Sequence, residues 1–405
     1  MQTENEQTLN EQKSPEAPKK PKKKWKMTVF WLVFFIACAG ALIFTMLKDF
    51  VFNKNYEVSD SLATVLKHNW YYLFIAAGCC AMFFFCQSLV YSAMMHQFTG
   101  KPRLGLCIAT TMLGNFYDSV TTFSTGGQPF QMNYLRKHNV PDGATIALPI
   151  VEYTLERFVF VIYAVIAVIL CATAAFGQSI LPQLYESDKA VYIMVYTAAG
   201  IGLVLNFAFP LLVIVALFSR KACGKMTGFA VKTAKFFRLT KNPDKLYEKI
   251  MSKLEANIEC MKMFSKRKRL YLCVLFQGIA KLSIASIGYF VLKAFAYPFP
   301  NAFGWLEVVS LYFIMSCAIS FIPTPGSSGA ADLSFYGIFF NPAVLMVTAA
   351  GVGSLATLSW RLIIFYLPIL VGAVYVLSAS AASRRRKRRA LRESVSETPT
   401  ENKPV

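Results

Sequence analysis

The sequence predicts an all-α polytopic membrane protein with about eight membrane-spanning helices and two broken, re-entrant helical hairpins. Three observations lead there. Apolar runs of about twenty residues recur along the chain, long enough to cross the hydrocarbon core as helices. The composition is 55% hydrophobic with a mean hydropathy of +0.44, and one soluble core would not need so many uninterrupted apolar stretches. The net charge of +20 is gathered in residues 19–26, 220–269 and 384–392, beside apolar runs. So basic a chain suggests nucleic acid, but charge placed beside spans follows the positive-inside rule and attraction to anionic lipid. The expected partners are therefore membrane lipids with anionic head groups, and not nucleic acid.

Residues 1–27 form a polar, Lys- and Pro-rich tail that is expected to be disordered. Residues 28–47 are the first span, and the lysines before it place the N-terminus in the cytoplasm. This run lacks a small-residue cleavage site, so it is not a cleavable signal. Residues 48–69, with Asp49, Glu57 and Asp60, suit an external loop. Residues 70–95 are the second span, anchored at the interface by Trp70, Tyr71 and Tyr72. Gly100-Lys101-Pro102-Arg103 then turns on the cytoplasmic side. Residues 104–123 are weakly apolar, interrupted by Asn115, Asp118 and several threonines. They run into Ser124-Thr125-Gly126-Gly127-Gln128-Pro129, and Arg136-Lys137-His138 follows. A re-entrant hairpin keeps that basic trio on the cytoplasmic side.

Residues 144–176 are one long helix or two, carrying Glu152, Glu156 and Arg157. Residues 178–189 look external, and 190–218 return inside with a kink expected at Pro210. Residues 220–269 hold fifteen Lys or Arg against four Asp or Glu, a difference of +11, which marks them as cytoplasmic. There Asn242-Pro243-Asp244 is a helix start. Leu246, Ile250, Leu254, Ile258 and Met261 follow at helical spacing. That helix either lies on the inner membrane surface or packs as a connector. Residues 270–297 are a span containing Lys281, and 305–322 lead into a second break. Residues 333–340 lead out of it. Residues 342–360 and 362–380 are the last spans, with Arg361 at their junction, and 381–405 form a basic cytoplasmic tail. Two halves emerge, 28–219 and 270–380, related by a pseudo-symmetry of span, broken hairpin and further spans.

The second break, Pro323-Thr324-Pro325-Gly326-Ser327-Ser328-Gly329 followed by Asp332, cannot continue a helix. Proline removes a donor and glycine favours other backbone angles. In hydrocarbon, broken backbone survives only inside protein or around a watery cavity. Each break alone could be a loop between spans. A pair of them in corresponding halves, both with polar residues, points to a site at the midplane. The N–H groups of the helix restarting near Gly329 would suit an anionic head group.

Ionisable residues within apolar runs are costly and are candidates for function. They are Asp118, Glu152, Glu156, Arg157, Lys281, Asp332 and Arg361. Glu152 and Glu156 share a helix face. Arg157 lies beside it, positioned to pair with Asp118, Asp332 or a lipid phosphate, for which a forked guanidinium is well shaped. The alternative for each is a structural ion pair or a side chain reaching the interface. No H-E-x-x-H, G-x-S-x-G or Walker-type loop is present, so no catalytic residue is assigned. The ten cysteines lack zinc spacing and the three histidines are scattered, so no metal or cofactor is expected.

Thr125-Gly126-Gly127-Gln128-Pro129 with Gln131 and Tyr134-Leu135, then Glu156-Arg157, then Pro323 to Gly329 with an acid at Asp332, resembles the lysylphosphatidylglycerol synthase transmembrane-region family. That family is also the flippase half of the multiple peptide resistance factor. The likeness covers nearly all of residues 28–380. It implies a bacterial plasma-membrane protein acting on lipids, with two re-entrant hairpins meeting at a lipid-sized cavity. Carried over residue by residue, the site comprises Gly126, Gly127, Gln128, Pro129, Glu156, Arg157, Pro325, Gly326 and Gly329. The family's second motif carries more glycine, and a glutamate, where this chain has Ser327, Ser328 and Asp332. Full-length synthases add a soluble lysyl-transfer domain with no counterpart among these residues. The expectation is thus a translocase of anionic or lysyl-modified phospholipid. Phosphatidylglycerol lysyltransferase activity with a separate synthase chain, and a membrane scaffold, are the alternatives. A second copy of the chain is a further candidate partner.

Overall fold

The computed structural model describes residues 65–121, 126–172, 197–208, 269–296, 304–320, 322, 325–340 and 350–375, with position 193 and scattered positions from 221 to 248. The expected span 28–47, most of the basic segment 220–269 and both terminal tails lie outside the described residues. The described residues belong to one unit, Asp49–Val405.

Helix α1 (Trp70–Thr99) continues from a π-helical turn, Val65–Asn69. It ends where Gly100 takes a left-handed φ of 69° and its N–H bonds the His96 carbonyl at 3.0 Å, the usual glycine stop. Helices α2 (Leu104–Val120) and α3 (Gly127–Lys137) flank the first break. Helix α4 (Asp142–Ala172) runs unbroken through Pro149, which resolves the sequence's one-or-two ambiguity in favour of one. Helix α5 (Thr197–Ala208) follows. Helix α6 (Arg269–Ala294) opens the second half, and α7 (Trp305–Ile319) and α8 (Ala330–Phe339) flank the second break. Helix α9 begins at Ala350–Arg361, passes through a π-helical turn at Leu362–Tyr366 and continues to Tyr375.

Among the described residues, four helical stretches are long and apolar enough to cross a membrane: Lys67–Gln97, Asp142–Cys171, Arg269–Ala294 and Val352–Tyr375. They present large apolar side chains outward, Phe74 (69% exposed), Tyr271 (78%) and Leu275 (56%) among them, as a lipid-facing surface requires. The order of elements repeats: α1, broken pair, α4 in one half; α6, broken pair, α9 in the other. Among the described residues, α1 and α6 share the most extensive interface. One core cluster joins α1 and α6 through Phe83, Ile287 and Val291, and extends to Phe335 and Trp360. The rings of Phe335 and Trp360 stack at 4.4 Å.

One boundary differs from expectation. Arg361 does not separate two spans; it lies within the continuous stretch Val352–Tyr375. A charge in an apolar run reads as an interface, but Arg361 is only 4% exposed and is neutralised from another helix.

The two broken segments meet. Helix α2, which leads into the first, packs on the turn Pro325–Ser327 of the second. The first hairpin also seats against α9. Gly372 leaves room for Phe116, whose Cβ would lie 2.7 Å from any added Cβ there. The hydroxyls of Tyr134 and Tyr375 are 2.6 Å apart.

Candidate functional site

At the first break, α2 ends with Asp118 in its last turn. The Gly127 N–H, opening α3, donates to Asp118 Oδ1 at 2.7 Å, and the Gly126 N–H donates to Thr121 Oγ1 at 3.0 Å. These bonds satisfy donors that a helix start leaves open, and the carboxylate meets the positive end of the helix dipole. Glycine is required here by space: a Cβ on Gly127 would lie 2.6 Å from both Asp118 Oδ2 and the Gly114 carbonyl. Pro129 falls in the first turn of α3, where a missing N–H costs nothing. Gln131 turns inward and donates to the Thr110 carbonyl at 3.2 Å.

The second break is held by a parallel device. Gly326, Ser327 and Gly329 all take positive φ, at 56°, 51° and 81°. The Gly329 N–H donates to Asp332 Oδ2 at 3.0 Å, and Asp332 Oδ1 faces Arg361 Nε at 3.3 Å. Arg361 Nη2 donates to the Gly326 carbonyl at 2.9 Å and to Ser328 Oγ at 3.0 Å. Its guanidinium lies 4.3 Å over the Phe365 ring, in the π-helical turn. Pro325 opens the tight turn, and Ser327 and Gly326 face a cavity. The N–H groups of the helix restarting near Gly329 were expected to suit an anionic head group; of these, the Gly329 N–H is engaged by Asp332.

Between the breaks lie two adjoining cavities of about 390 and 210 Å³. Both are lined by Tyr153, Arg157, Lys281, Ile284, Gly326 and Phe365. Their charges differ in sign. Among the described residues, the larger is lined by Arg157, Lys281 and Arg361 and by no acid. The smaller adds Asp118, Glu152 and Glu156, together with Gln128, Gln131 and Asn115.

Glu156 and Lys281 form an ion pair between α4 and α6. Arg157 pairs with neither Asp118 nor Asp332. Its Nη1 donates to Asn206 Oδ1 at 3.1 Å on α5, and its guanidinium lies 5.0 Å over the Tyr153 ring. Asn206 in turn donates to Ser320 Oγ and the Gly202 carbonyl, each at 2.8 Å. Arg157 Nε is buried without a hydrogen-bond partner. The structure thus brings together Asp118, Gln128, Glu152, Glu156, Arg157, Gly326 and Ser327 at the cavities. Gly126, Gly127, Pro325, Gly329, Ser328 and Asp332 shape the two breaks instead, and Pro129 is exposed on α3.

Sequence reasoning did not find Asn206, Tyr153 or Gln87. A lone amide in the apolar run 190–218 was the available signal for Asn206. Gln87, on α1, accepts from Asn115 Nδ2 at 2.9 Å.

Fold and site define an all-helical integral membrane protein with a two-lobed, oppositely charged chamber between two broken hairpins. The chain belongs to the family described as the lysylphosphatidylglycerol synthase TM region, which matches residues 30–372. A search of the curated proteins found no match.

Proposed function

We propose that the protein is a lipid translocase of the bacterial plasma membrane, carrying an anionic phospholipid whose head group also bears an amine, lysylphosphatidylglycerol being the type suggested by the family. The observation that carries this reading is the opposite charge of the two adjoining lobes. Phosphate fits the lobe of Arg157, Lys281 and Arg361, and the forked donors of a guanidinium such as that of Arg157 match phosphate oxygens. The ammonium fits the lobe of Asp118, Glu152 and Glu156. The larger cavity lies within the size range of small-ligand sites. The acyl chains would stay in the surrounding lipid.

The test is leaflet accessibility of labelled lipids in proteoliposomes, comparing phosphatidylglycerol, its lysyl ester and a polyprenyl phosphate. The expected result is faster exchange of the lysyl ester, lost in Arg157→Ala and kept in Asp142→Asn, whose side chain is 87% exposed on α4. Equal exchange in wild type and Arg157→Ala, or none for any lipid, refutes the reading.

A further inference from the structure

Among the described residues, the smaller lobe holds more carboxyl groups than cations. Asp118, Glu152 and Glu156 face Arg157 and Lys281, so that with all three acids ionised one negative charge is in excess. Glu156 is engaged by Lys281, and Asp118 by the Gly127 N–H. The excess therefore falls on Glu152, which is 6% exposed and whose Oε1 is buried with no hydrogen-bond partner. A buried carboxylate without a counter-charge is expensive in any protein interior and more so in a membrane.

Two further oxygens in the same cavity share this condition. Thr111 Oγ1 on α2 and Tyr91 Oη on α1 are buried and without a hydrogen-bond partner, and both residues are 1% exposed. Both line the 210 Å³ lobe with Glu152. Side chains from three helices, one of them bearing a carboxyl group, thus line a space roomy enough for an ion and several waters.

We infer that this lobe is a binding site for a free monovalent cation, held by Glu152 with the hydroxyls of Thr111 and Tyr91, for which Na⁺ is the probe. Hard oxygen donors select an alkali or alkaline-earth ion over a transition metal. The single excess charge selects a monovalent one. Consistently, no group of three His, Cys, Asp or Glu side chains among the described residues is placed to hold a metal ion, as a divalent cage of carboxylates would need. Water alone would satisfy the hydroxyls but leave the charge, for which the cation competes with a proton on Glu152. On the translocase reading, the arriving head-group ammonium takes the same place, so lipid entry and cation release become linked.

The test is ²²Na⁺ binding to the purified full chain in dodecyl maltoside, a detergent with neither amine nor phosphate. Saturable binding of one ion per chain is expected below physiological ionic strength, about 0.15 M. Affinity should fall by about ten-fold or more in Glu152→Gln and fall also in Thr111→Val, while Asp142→Asn binds as wild type. Thr111→Val leaves every charge in place, so it decides the matter if Glu152→Gln does not fold. Absence of saturable binding, or equal binding in wild type and both lobe variants, overturns the site. Ethanolamine should displace the ion; failure to do so overturns shared occupancy by ion and ammonium. Lipid exchange without ²²Na⁺ binding removes the cation site and leaves the translocase, whereas ²²Na⁺ binding without lipid exchange does the reverse.

Discussion

Removing both partners of the Asp332–Arg361 pair should destabilise the second hairpin's turn by less than the sum of the two single removals. The two side chains are 5% and 4% exposed and stand 3.3 Å apart. Breaking such a buried pair from one side leaves an uncompensated charge, at a cost of about 3–5 kcal/mol. Asp332→Asn keeps an acceptor for the Gly329 N–H, so its penalty isolates the charge. Arg361→Met removes in addition the bonds to the Gly326 carbonyl and Ser328 Oγ, and should be at least as damaging. The double variant strands no charge, so it should recover about 2 kcal/mol of the summed penalties, within the range of measured couplings. Reversible unfolding in mixed micelles, followed by helicity, gives all four corners of the cycle. Penalties that add to within about 0.5 kcal/mol would refute the clamp. The same variants separate two roles for Asp332. A stable double variant that still exchanges lipid assigns it to the turn, and one that has lost exchange returns it to the head group.

Two other outcomes follow from the geometry. Gly326→Ala places a methyl in the left-handed region, costing about 1–2 kcal/mol, and drives it into the Phe365 ring. The melting temperature should fall, and adding Phe365→Ala should return the overpacking part but not the backbone part. Asn206→Leu deprives Arg157 of its hydrogen-bond partner, which should destabilise by about 1–3 kcal/mol and slow lipid exchange. Asn206→Asp, whose carboxylate still accepts from Arg157 but neutralises its charge, should also slow exchange; exchange at the wild-type rate would show that Arg157 does not need an uncharged partner.

The membrane fold was legible because hydrocarbon demands it: each run that must cross is predominantly apolar, as in α1, α4 and α6. The two breaks were legible for the same reason, since Gly126-Gly127 and Pro325-Gly326 cannot pass for helix interior. What escaped was pairing. Glu156 and Lys281 are 125 positions apart, and nothing local to either names the other. Arg361 looked like a boundary for want of its partner, and the continuity of α9 was lost with it. Arg157 was correctly read as an interior charge. Its hydrogen-bond partner is a neutral amide on another helix, and no charge-matching rule leads from an arginine to Asn206.

The two acids at the breaks alter how an anion can be held. A helix restarting inside a membrane usually offers its free N–H groups and positive dipole end to a ligand. Here α3 and α8 each meet a carboxylate from the protein itself: Asp118 at Gly127 and Asp332 at Gly329. The leading donor of each restarted helix is therefore taken, and the carboxylate's negative charge opposes a second anion at the same place. On the translocase reading, phosphate binding would then fall to the side-chain cations of the larger lobe. Lys281 is committed to Glu156, and Arg361 to Asp332 and the turn. Arg157 differs from both, because its hydrogen-bond partner is uncharged and its charge is not neutralised by an ion pair. On the translocase reading, an anionic head group entering the chamber would therefore meet its strongest attraction at Arg157, with the broken hairpins shaping the space around that charge.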